Sequence, residues 1–469
     1  MADAATPQAS ALVQPRFWTL DHLAEALGNG PRGDTPISRV STDTRALEPG
    51  ACFVALRGDT FDAHDYLREA VDKGAIALVV RDASRAAGLP VAVYEVRDTL
   101  EALGALGRHR RRHWTGIVVG VVGTNGKTST KELLRAALGA SRTVHATVGN
   151  YNNLVGVPLT LFALPLDADI AVIEMGTNQP GEVAALRAIV EPDLVVVTSI
   201  AEEHLEGLGD LAGVLREEVS ACEGVAVAIT PASQPEVADA ARPLARRTVS
   251  AGLDTGDVRP SRWGVDSDGQ GWLELDGVSV RVPLRGVHNL RNAMLALAVA
   301  RETGVAIADA ARGIAAMPAP PMRVNFEQHG AVTIINDAYN SNPGSARVAL
   351  ELLAHAGAGR QRVAVLGTML ELGDHADRLH DDVARDALAS GVELVVGVGA
   401  YADAFERVAP GEPRVLAGAD PEAAWVALRS RLAGDAIILL KGSRGVRLER
   451  LVPMISTWAG AAVDRSSTR

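Results

Sequence analysis

The chain predicts an α/β protein of three domains: a small α/β N-terminal domain, a central P-loop-type parallel-sheet ATPase domain and a C-terminal Rossmann-like domain. Three observations lead there. Short apolar strands alternate with helical segments almost throughout, which suits parallel sheets covered by helices on both faces. A glycine-rich turn joins one such strand to a helix near residue 125. And 469 residues exceed one ordinary domain, so two to four are expected.

Residues 1–15 and Arg465-Ser-Ser-Thr-Arg469 read as loose ends. The first domain, placed over 16–110, shows Cys52-Phe-Val-Ala-Leu56, a helical Tyr66 to Lys73 and Ala75-Ile-Ala-Leu-Val-Val80. The basic run Arg108-His-Arg-Arg-Arg-His113 marks its end, as a solvated linker or helix terminus in an acidic chain. The central domain, 111–318, carries strands at Ile117 to Val122, Ile170-Ala-Val-Ile-Glu174 and Leu194-Val-Val-Val-Thr198. A β-rich excursion over Arg259 to Leu284 precedes a helix from Asn289 to Glu302. Met317-Pro-Ala-Pro-Pro-Met322 reads as a hinge. The third domain, 319–469, resumes the alternation at Val332 to Asn336, Val363 to Leu366, Leu394 to Val398 and Ile437 to Leu440.

Composition narrows the function classes. The apolar fraction of 47% and charged fraction of 22% suit packed cores. A formal charge of −11 argues against a nucleic-acid partner. Cys52 and Cys222 form neither a disulfide framework nor a metal spacing. No run of about 18 apolar residues predicts membrane insertion, and Met1-Ala-Asp-Ala-Ala-Thr-Pro lacks a signal-peptide layout. A soluble, cytoplasmic monomer is the expectation.

The most informative stretch is Gly116-Ile-Val-Val-Gly-Val-Val-Gly-Thr-Asn-Gly-Lys-Thr-Ser-Thr130. Glycines let backbone N–H groups turn inward around a polyphosphate, Lys127 neutralises charge, and the hydroxyl of Thr128 or Ser129 can join a Mg²⁺ shell. A helix starting near Lys127 adds its positive dipole end. A strict Walker A loop has glycine where this chain has Val121; the glycines here are 120, 123 and 126. The implied ligand is a nucleoside triphosphate.

Strand ends are where open α/β sheets place ligands. Glu174 closes one strand, and His204 follows another in Thr198-Ser-Ile-Ala-Glu-Glu-His-Leu-Glu-Gly207. With Thr128 they would offer two oxygens and a nitrogen to Mg²⁺. In Leu211-Ala-Gly-Val-Leu-Arg-Glu-Glu-Val-Ser-Ala-Cys222, the spacing of Leu211, Val214, Leu215 and Cys222 defines an inward stripe that includes Glu218, whereas Glu217 points away. An inward carboxylate needs a cation or a donor, unless it snorkels to water. Gly286-Val-His-Asn-Leu-Arg-Asn-Ala293 opens a helix where Asn292 faces an adenine edge or caps and packs. Asp337-Ala-Tyr-Asn-Ser-Asn-Pro343 and Lys441-Gly-Ser-Arg444 follow strands and suit phosphate or carboxylate.

These motifs resemble the Mur ligases across all three domains. The resemblance rests on Ser41-Thr-Asp-Thr-Arg45, Phe53-Val-Ala-Leu-Arg-Gly58 and Phe61-Asp-Ala-His-Asp65 in the first, and on Gly123-Thr-Asn-Gly-Lys-Thr128, Gly149-Asn-Tyr-Asn-Asn153, Gly156-Val-Pro-Leu-Thr160, Ile173-Glu-Met-Gly176, His204-Leu-Glu-Gly207 and His288-Asn289 with Asn292 in the second. Asp337-Ala-Tyr-Asn340, Glu371-Leu-Gly373 and Lys441-Gly-Ser-Arg444 carry it through the third.

It implies an ATP- and Mg²⁺-dependent amide ligase of peptidoglycan precursor synthesis, joining D-alanyl-D-alanine to UDP-N-acetylmuramoyl-tripeptide through an acyl phosphate. The alternative is another Mur-like ligase, of the diaminopimelate-adding or folylpolyglutamate-synthase type. By resemblance, Lys127, Glu174, His204 and Arg323 are catalytic. Gly123, Thr124, Asn125, Gly126, Lys127, Thr128, Ser129, Asn289, Asn292, Arg323 and Asp337 hold the nucleotide. Ser41, Arg45, Asn150, Asn152, Asn153, Tyr339, Asn340, Lys441 and Arg444 meet substrates, with Ser41 and Arg45 near the UDP end. Thr128, Glu174, His204 and Glu218 hold metal.

Two departures stand out. The family's lysine, modified to a carbamate at a second Mg²⁺, aligns with Glu218, a permanent carboxylate roughly 3–4 Å shorter; it is expected to reach the metal through water or a small helix shift. Met322-Arg323 replaces the usual Gly-Arg, and Thr368 stands where an acidic residue is usual.

Overall fold

The computed structural model describes residues 14, 16–58, 60–266, 269–318, 325–356 and 359–466. Three parallel-stranded units follow one another along the chain. The first is a four-stranded sheet in the order Val40–Ser41, Cys52–Val54, Ala77–Val80, Ala92–Glu95. Its strands are short and parallel, and all but the edge strand Ala92–Glu95 are buried, so each connection must cross over through a helical segment. The closing helix, Thr99–Arg112, starts on an Asp98 cap that accepts the Leu100 and Glu101 amides. It ends on a basic turn, which complements the negative end of its dipole.

The central sheet runs Thr248–Ala251, Val227–Pro231, Leu194–Val197, Ile117–Val122, Ile170–Glu174, Val144–Ala146, all parallel. Val118, Val119, Val121 and Val122 are fully buried, because helices cover both faces. The chain starts in the middle at Ile117–Val122, fills one side, then crosses to Leu194–Val197 on the other. That reversal leaves a crevice at the carboxyl ends of these strands. The β-rich excursion is an antiparallel sheet of Arg262–Val265, Gln270–Leu275 and Val278–Arg285. It packs its buried Leu273, Val280 and Val282 with Leu133 and Leu134 of the helix Lys127–Gly139.

The third sheet is Asn325–His329, Val332–Asp337, Ile437–Lys441, Arg362–Gly367, Leu394–Val398, Val415–Gly418, with only the first strand antiparallel. The last strand inserts between Val332–Asp337 and Arg362–Gly367, which sets Lys441 in register with Asp337.

The units are not independent. One apolar cluster joins Trp18, Leu23 and Leu103 of the first unit to Tyr151, Leu159 and Phe162 of the second. Another runs from Ile173 and Val197 to Ile335, Leu366 and Leu439 of the third. Burying one such large side chain contributes about 2–3 kcal/mol. Among the described residues no helix is long and apolar enough to cross a membrane.

Several expectations need correction. Helix Leu211–Val219 exposes Leu211 by 48% and buries Glu217, which the stripe had turned outward. Glu217 accepts the Gly181 and Val183 amides at 2.8 Å, satisfying donors at the start of the helix Glu182–Val190. The C-terminal helix runs Leu451–Ser466, so Arg465 and Ser466 belong to it rather than to a loose end. Most of the expected hinge, together with Arg323, lies outside the described residues, as do residues 1–13 and 467–469.

Candidate active site

The turn Gly123–Gly126 is shaped by two glycines at φ +118° and +86°, a region that side chains with a Cβ avoid. Space imposes glycine as well. A Cβ on Gly123 would lie 2.4 Å from Thr198 Oγ1, and one on Gly126 would lie 2.9 Å from the Asn292 amide atoms. The turn is fastened to the neighbouring strand end: the Thr124 amide donates to Ser199 O at 2.7 Å, and Thr124 Oγ1 accepts the Ala201 amide at 3.0 Å. The helix Lys127–Gly139 then begins with its free amides at the turn. Lys127 Nζ lies across the loop, donating to Gly123 O and, at 3.2 Å, to Thr124 O.

Beside the loop, Thr128 Oγ1 donates to the Glu174 carboxylate at 3.0 and 3.2 Å. Asn152 Nδ2 donates to the same carboxylate at 2.9 Å. Glu174 is buried, and its own amide donates to Thr147 Oγ1. A buried carboxylate with two neutral donors, one a hydroxyl and one an amide, is a hard oxygen cluster.

Glu218 sits behind the loop. Its Oε2 accepts the Gly123 amide at 2.7 Å. Burial pushes its proton affinity above the ordinary carboxylate range, while Lys127 and the Gly123 amide pull the other way. Thr128 and Glu174 are thus brought together, but Glu218 is committed to the loop backbone and His204 to another partner. His204 Nδ1 pairs with the Glu371 carboxylate of the third unit.

Except for Glu218, Gly123 and Thr147, these groups border one cavity of about 1030 Å³ between the central and third units. Of the residues singled out from sequence, Thr124, Asn125, Gly126, Lys127, Thr128, Ser129, Asn152, Asn153, Glu174, His204, Asn289, Asn292, Asp337, Tyr339, Asn340 and Lys441 line it. Asn292 Nδ2 donates to Asn289 Oδ1 at 3.3 Å, and Asn289 Nδ2 to Arg285 O at 2.8 Å. Asn153 Oδ1 also holds the Gly156 amide at 2.8 Å. Lys441 Nζ bridges Asp337 at 2.8 Å and Asn340 O at 2.7 Å, so this buried ammonium has both a counter-charge and a carbonyl. His288, also on the lining, is half-buried, and desolvation pushes it down to about 4, so it is neutral.

Ser41, Arg45, Asn150 and Arg444 do not line the cavity. Ser41 and Arg45 lie on the first unit, where Arg45 pairs with Asp43 at 2.9 Å, and Arg444 pairs with Glu449 at 3.0 Å. Thr368 accepts the Ala400 amide at 2.9 Å and so anchors its loop.

The third unit is held against the loop by Asn125 and Asn340 together with Asn342 and Glu203, two residues that sequence reasoning left without a role. Asn125 and Asn342 exchange amide hydrogen bonds at 2.8 and 3.3 Å. Glu203, buried, accepts Asn340 at 2.8 Å and Asn342 at 3.2 Å. Asn342 also caps the helix Pro343–His355. The strand-end loop 337–343 was visible as polar sequence; its partners, more than 130 residues away, carried no local signal.

Comparison with known proteins covers the same three units. Family models described as "Mur ligase family, catalytic domain", "Mur ligase middle domain" and "Mur ligase, glutamate ligase domain" match residues 36–111, 121–300 and 322–444. The UDP-N-acetylmuramoyl-tripeptide–D-alanyl-D-alanine ligase of Escherichia coli (strain K12) is 34% identical over 447 residues, covering 92% of this chain and 97% of that one. A crystal structure of MurF from Acinetobacter baumannii superposes with a TM-score of 0.87 at 30% identity, over 95% of this chain and all of that one. MurF from Thermotoga maritima in complex with ADP gives 0.80 at 26% identity, over 90% and 98%. Since likeness in sequence and in fold runs through every unit, with the glycine loop and the docked third sheet inside it, the chain belongs to the Mur ligase family, on its MurF branch.

Proposed function

We propose that this protein uses ATP to join D-alanyl-D-alanine to UDP-N-acetylmuramoyl-tripeptide, a ligase step of peptidoglycan precursor synthesis. The observation that carries the reading is the shared cavity: a phosphate-type loop on one wall faces Asp337, Tyr339, Asn340 and Lys441 on the other. Three reactants need such a cleft between units, because the phosphorylated acid must meet an amine without meeting water.

The chemistry asks for two displacements. A carboxylate oxygen of the tripeptide attacks the γ-phosphorus, the bond to ADP breaks, and an acyl phosphate forms. The dipeptide amine then attacks the acyl carbon, the C–O bond to phosphate breaks, and the amine loses a proton. Lys127, the amides of Gly123–Lys127 and the start of the helix Lys127–Gly139 neutralise charge on the phosphates. Asn289 and Asn292, at the cavity edge beside Gly126, suit the base of the nucleotide.

The oxygen set of Thr128 and Glu174, oriented by Asn152, fits a hard divalent cation such as Mg²⁺. When bound it supplies positive charge between triphosphate and carboxylate, which otherwise repel. His204 is assigned to the same region, held by Glu371. Glu218 is assigned to holding the loop at Gly123, a role its shorter side chain already fulfils.

In this reading residues 16–110 take the UDP end, near Ser41 and Arg45. Residues 111–318 take the nucleotide and 319–469 receive the dipeptide, with Arg444 and Arg323 completing the third unit's contribution. Asn153, on the lining with Glu174, suits the tripeptide end, and Asn150 is assigned to the same substrate.

The test is product mass. The purified protein is incubated with ATP, D-alanyl-D-alanine and UDP-N-acetylmuramoyl-tripeptide carrying lysine or diaminopimelate. A UDP-muramoyl-pentapeptide with stoichiometric ADP and phosphate is expected. Incorporation of glutamate or free diaminopimelate instead would overturn the assignment.

A further inference from the structure

Away from the cleft, the basic run Arg108–His113 brings two histidines, His109 and His113, one turn apart at the end of the helix Thr99–Arg112. His22 comes from the helix Leu20–Leu27, which packs on the same helix. Each offers a ring nitrogen, and these nitrogens all lie within 4.8 Å of one another. Among the described residues no other three His, Cys, Asp or Glu side chains form such a group.

The ring orientations are fixed by the backbone. His22 Nδ1 faces the Phe17 carbonyl at 2.6 Å, and His113 Nδ1 faces the His109 carbonyl at 2.9 Å. A carbonyl oxygen only accepts, so each Nδ1 carries a hydrogen, which leaves Nε2 as the nitrogen through which either ring could bind a metal. His109 Nε2 is buried without a hydrogen-bond partner. Ring centroids are 4.3 Å apart for His109 and His113, and 5.5 and 5.6 Å from His22 to these two. Phe17 stacks on His22 at 4.3 Å and closes one side.

We propose that His22, His109 and His113 form a zinc site, with Glu25 or water as the fourth ligand. Three gathered imidazoles, two of them set by a backbone carbonyl behind the ring, are the donor set and part of the outer shell that Zn²⁺ takes, whereas Mg²⁺ prefers oxygen. Glu25 Oε2 stands 3.9 Å from His109 Nε2, within reach of the same point. Neighbouring arginines are directed elsewhere. Arg108 and Arg112 pair with Glu191, Arg111 with Asp193, and Arg110 lies over the Phe17 ring while donating to Leu164 O. A metal here would tie the helix Leu20–Leu27 to the helix that leads into the central sheet at Ile117, fixing how the first unit is carried. Packing of flat rings alone accounts for the stacking but not for three ring nitrogens within 4.8 Å of one another beside a buried Nε2 that has no hydrogen-bond partner.

The test uses full-length protein without a polyhistidine tag, stripped with chelator and titrated with ZnCl₂ against a chromophoric competitor. One zinc per chain is expected by native mass spectrometry. His22→Ala, His109→Ala and His113→Ala should each weaken it at least about 100-fold, since even outer-shell losses reach that size. His113 is exposed, so His113→Ala keeps the fold if His109→Ala does not. Zinc should raise the thermal midpoint of the parent and leave that of His113→Ala unmoved. No retained zinc, or an affinity unchanged by His22→Ala and His113→Ala, overturns the site.

Discussion

His204 and Glu371 meet across the boundary between the central and third units, and both hold left-handed backbone, at φ +53° and +62°. Non-glycine residues adopt that conformation at a cost of roughly 1–2 kcal/mol each. The Glu206 amide donates to Glu371 O at 3.3 Å, which adds a backbone tie beside the side-chain contact. Strain on both sides of one contact, at the mouth of the cavity, marks the place where the third unit is set against the nucleotide loop.

Glu371→Gln keeps a hydrogen bond to His204 but removes the charge. Glu371 is half exposed, so the ionic part is worth at most about 1 kcal/mol, or about fivefold. A drop of that size in kcat/KM for ATP is expected, larger at low salt than at high salt. An effect independent of ionic strength would remove the electrostatic reading.

Glu218 provides a pH test. Burial raises its folded-state pKa, so the folded protein holds this proton more tightly than the unfolded chain. Its contribution is therefore full below the ordinary carboxylate pKa and declines as pH rises through the folded value. Glu218→Gln should flatten that decline and raise the thermal midpoint at neutral pH, its amide oxygen still accepting from Gly123. Glu218→Ala leaves the Gly123 amide unpaired and should cost about 1–3 kcal/mol in denaturant titrations. Equal stability of the two variants would contradict this account.

Gly126→Ala meets two obstacles, the φ of +86° and the Asn292 amide 2.9 Å from the new Cβ. Calorimetry with ADP should show at least about a tenfold loss of affinity. Adding Asn292→Ala relieves the clash but not the backbone, so recovery should be partial. Full recovery would mean that only space mattered.

Lys127→Met retains the aliphatic stem and removes the ammonium. Turnover should fall by about 100-fold or more, while the melting temperature shifts by only a few degrees. This lysine donates to loop carbonyls, and the buried acid that feels its charge, Glu218, keeps the Gly123 amide when the ammonium is gone. A variant as fast as the parent would show that phosphate charge is handled elsewhere.

Strands at Ile117–Val122, Ile170–Glu174 and Leu394–Val398 have the bounds that their apolar runs predict. Each is buried on both faces, so composition alone reports it. The helix Leu211–Val219 misled for a related reason: its stripe assumed a single core, but Glu217 faces a second surface, the start of the helix Glu182–Val190. Asn342 and Glu203 were equally silent, because their hydrogen-bond partners are remote in sequence.

What the chain determined by itself is local: a glycine turn after an apolar strand, carboxylates and amides at strand ends, and a motif set that names a family. Those features are set by backbone freedom and by side chains a few residues apart. Tertiary structure alone decided which polar group faces which. Glu218 was claimed by the Gly123 amide, His204 by Glu371, and His22 was gathered with His109 and His113. Such pairings depend on how separate layers pack, and packing brings together atoms that no short window of sequence contains.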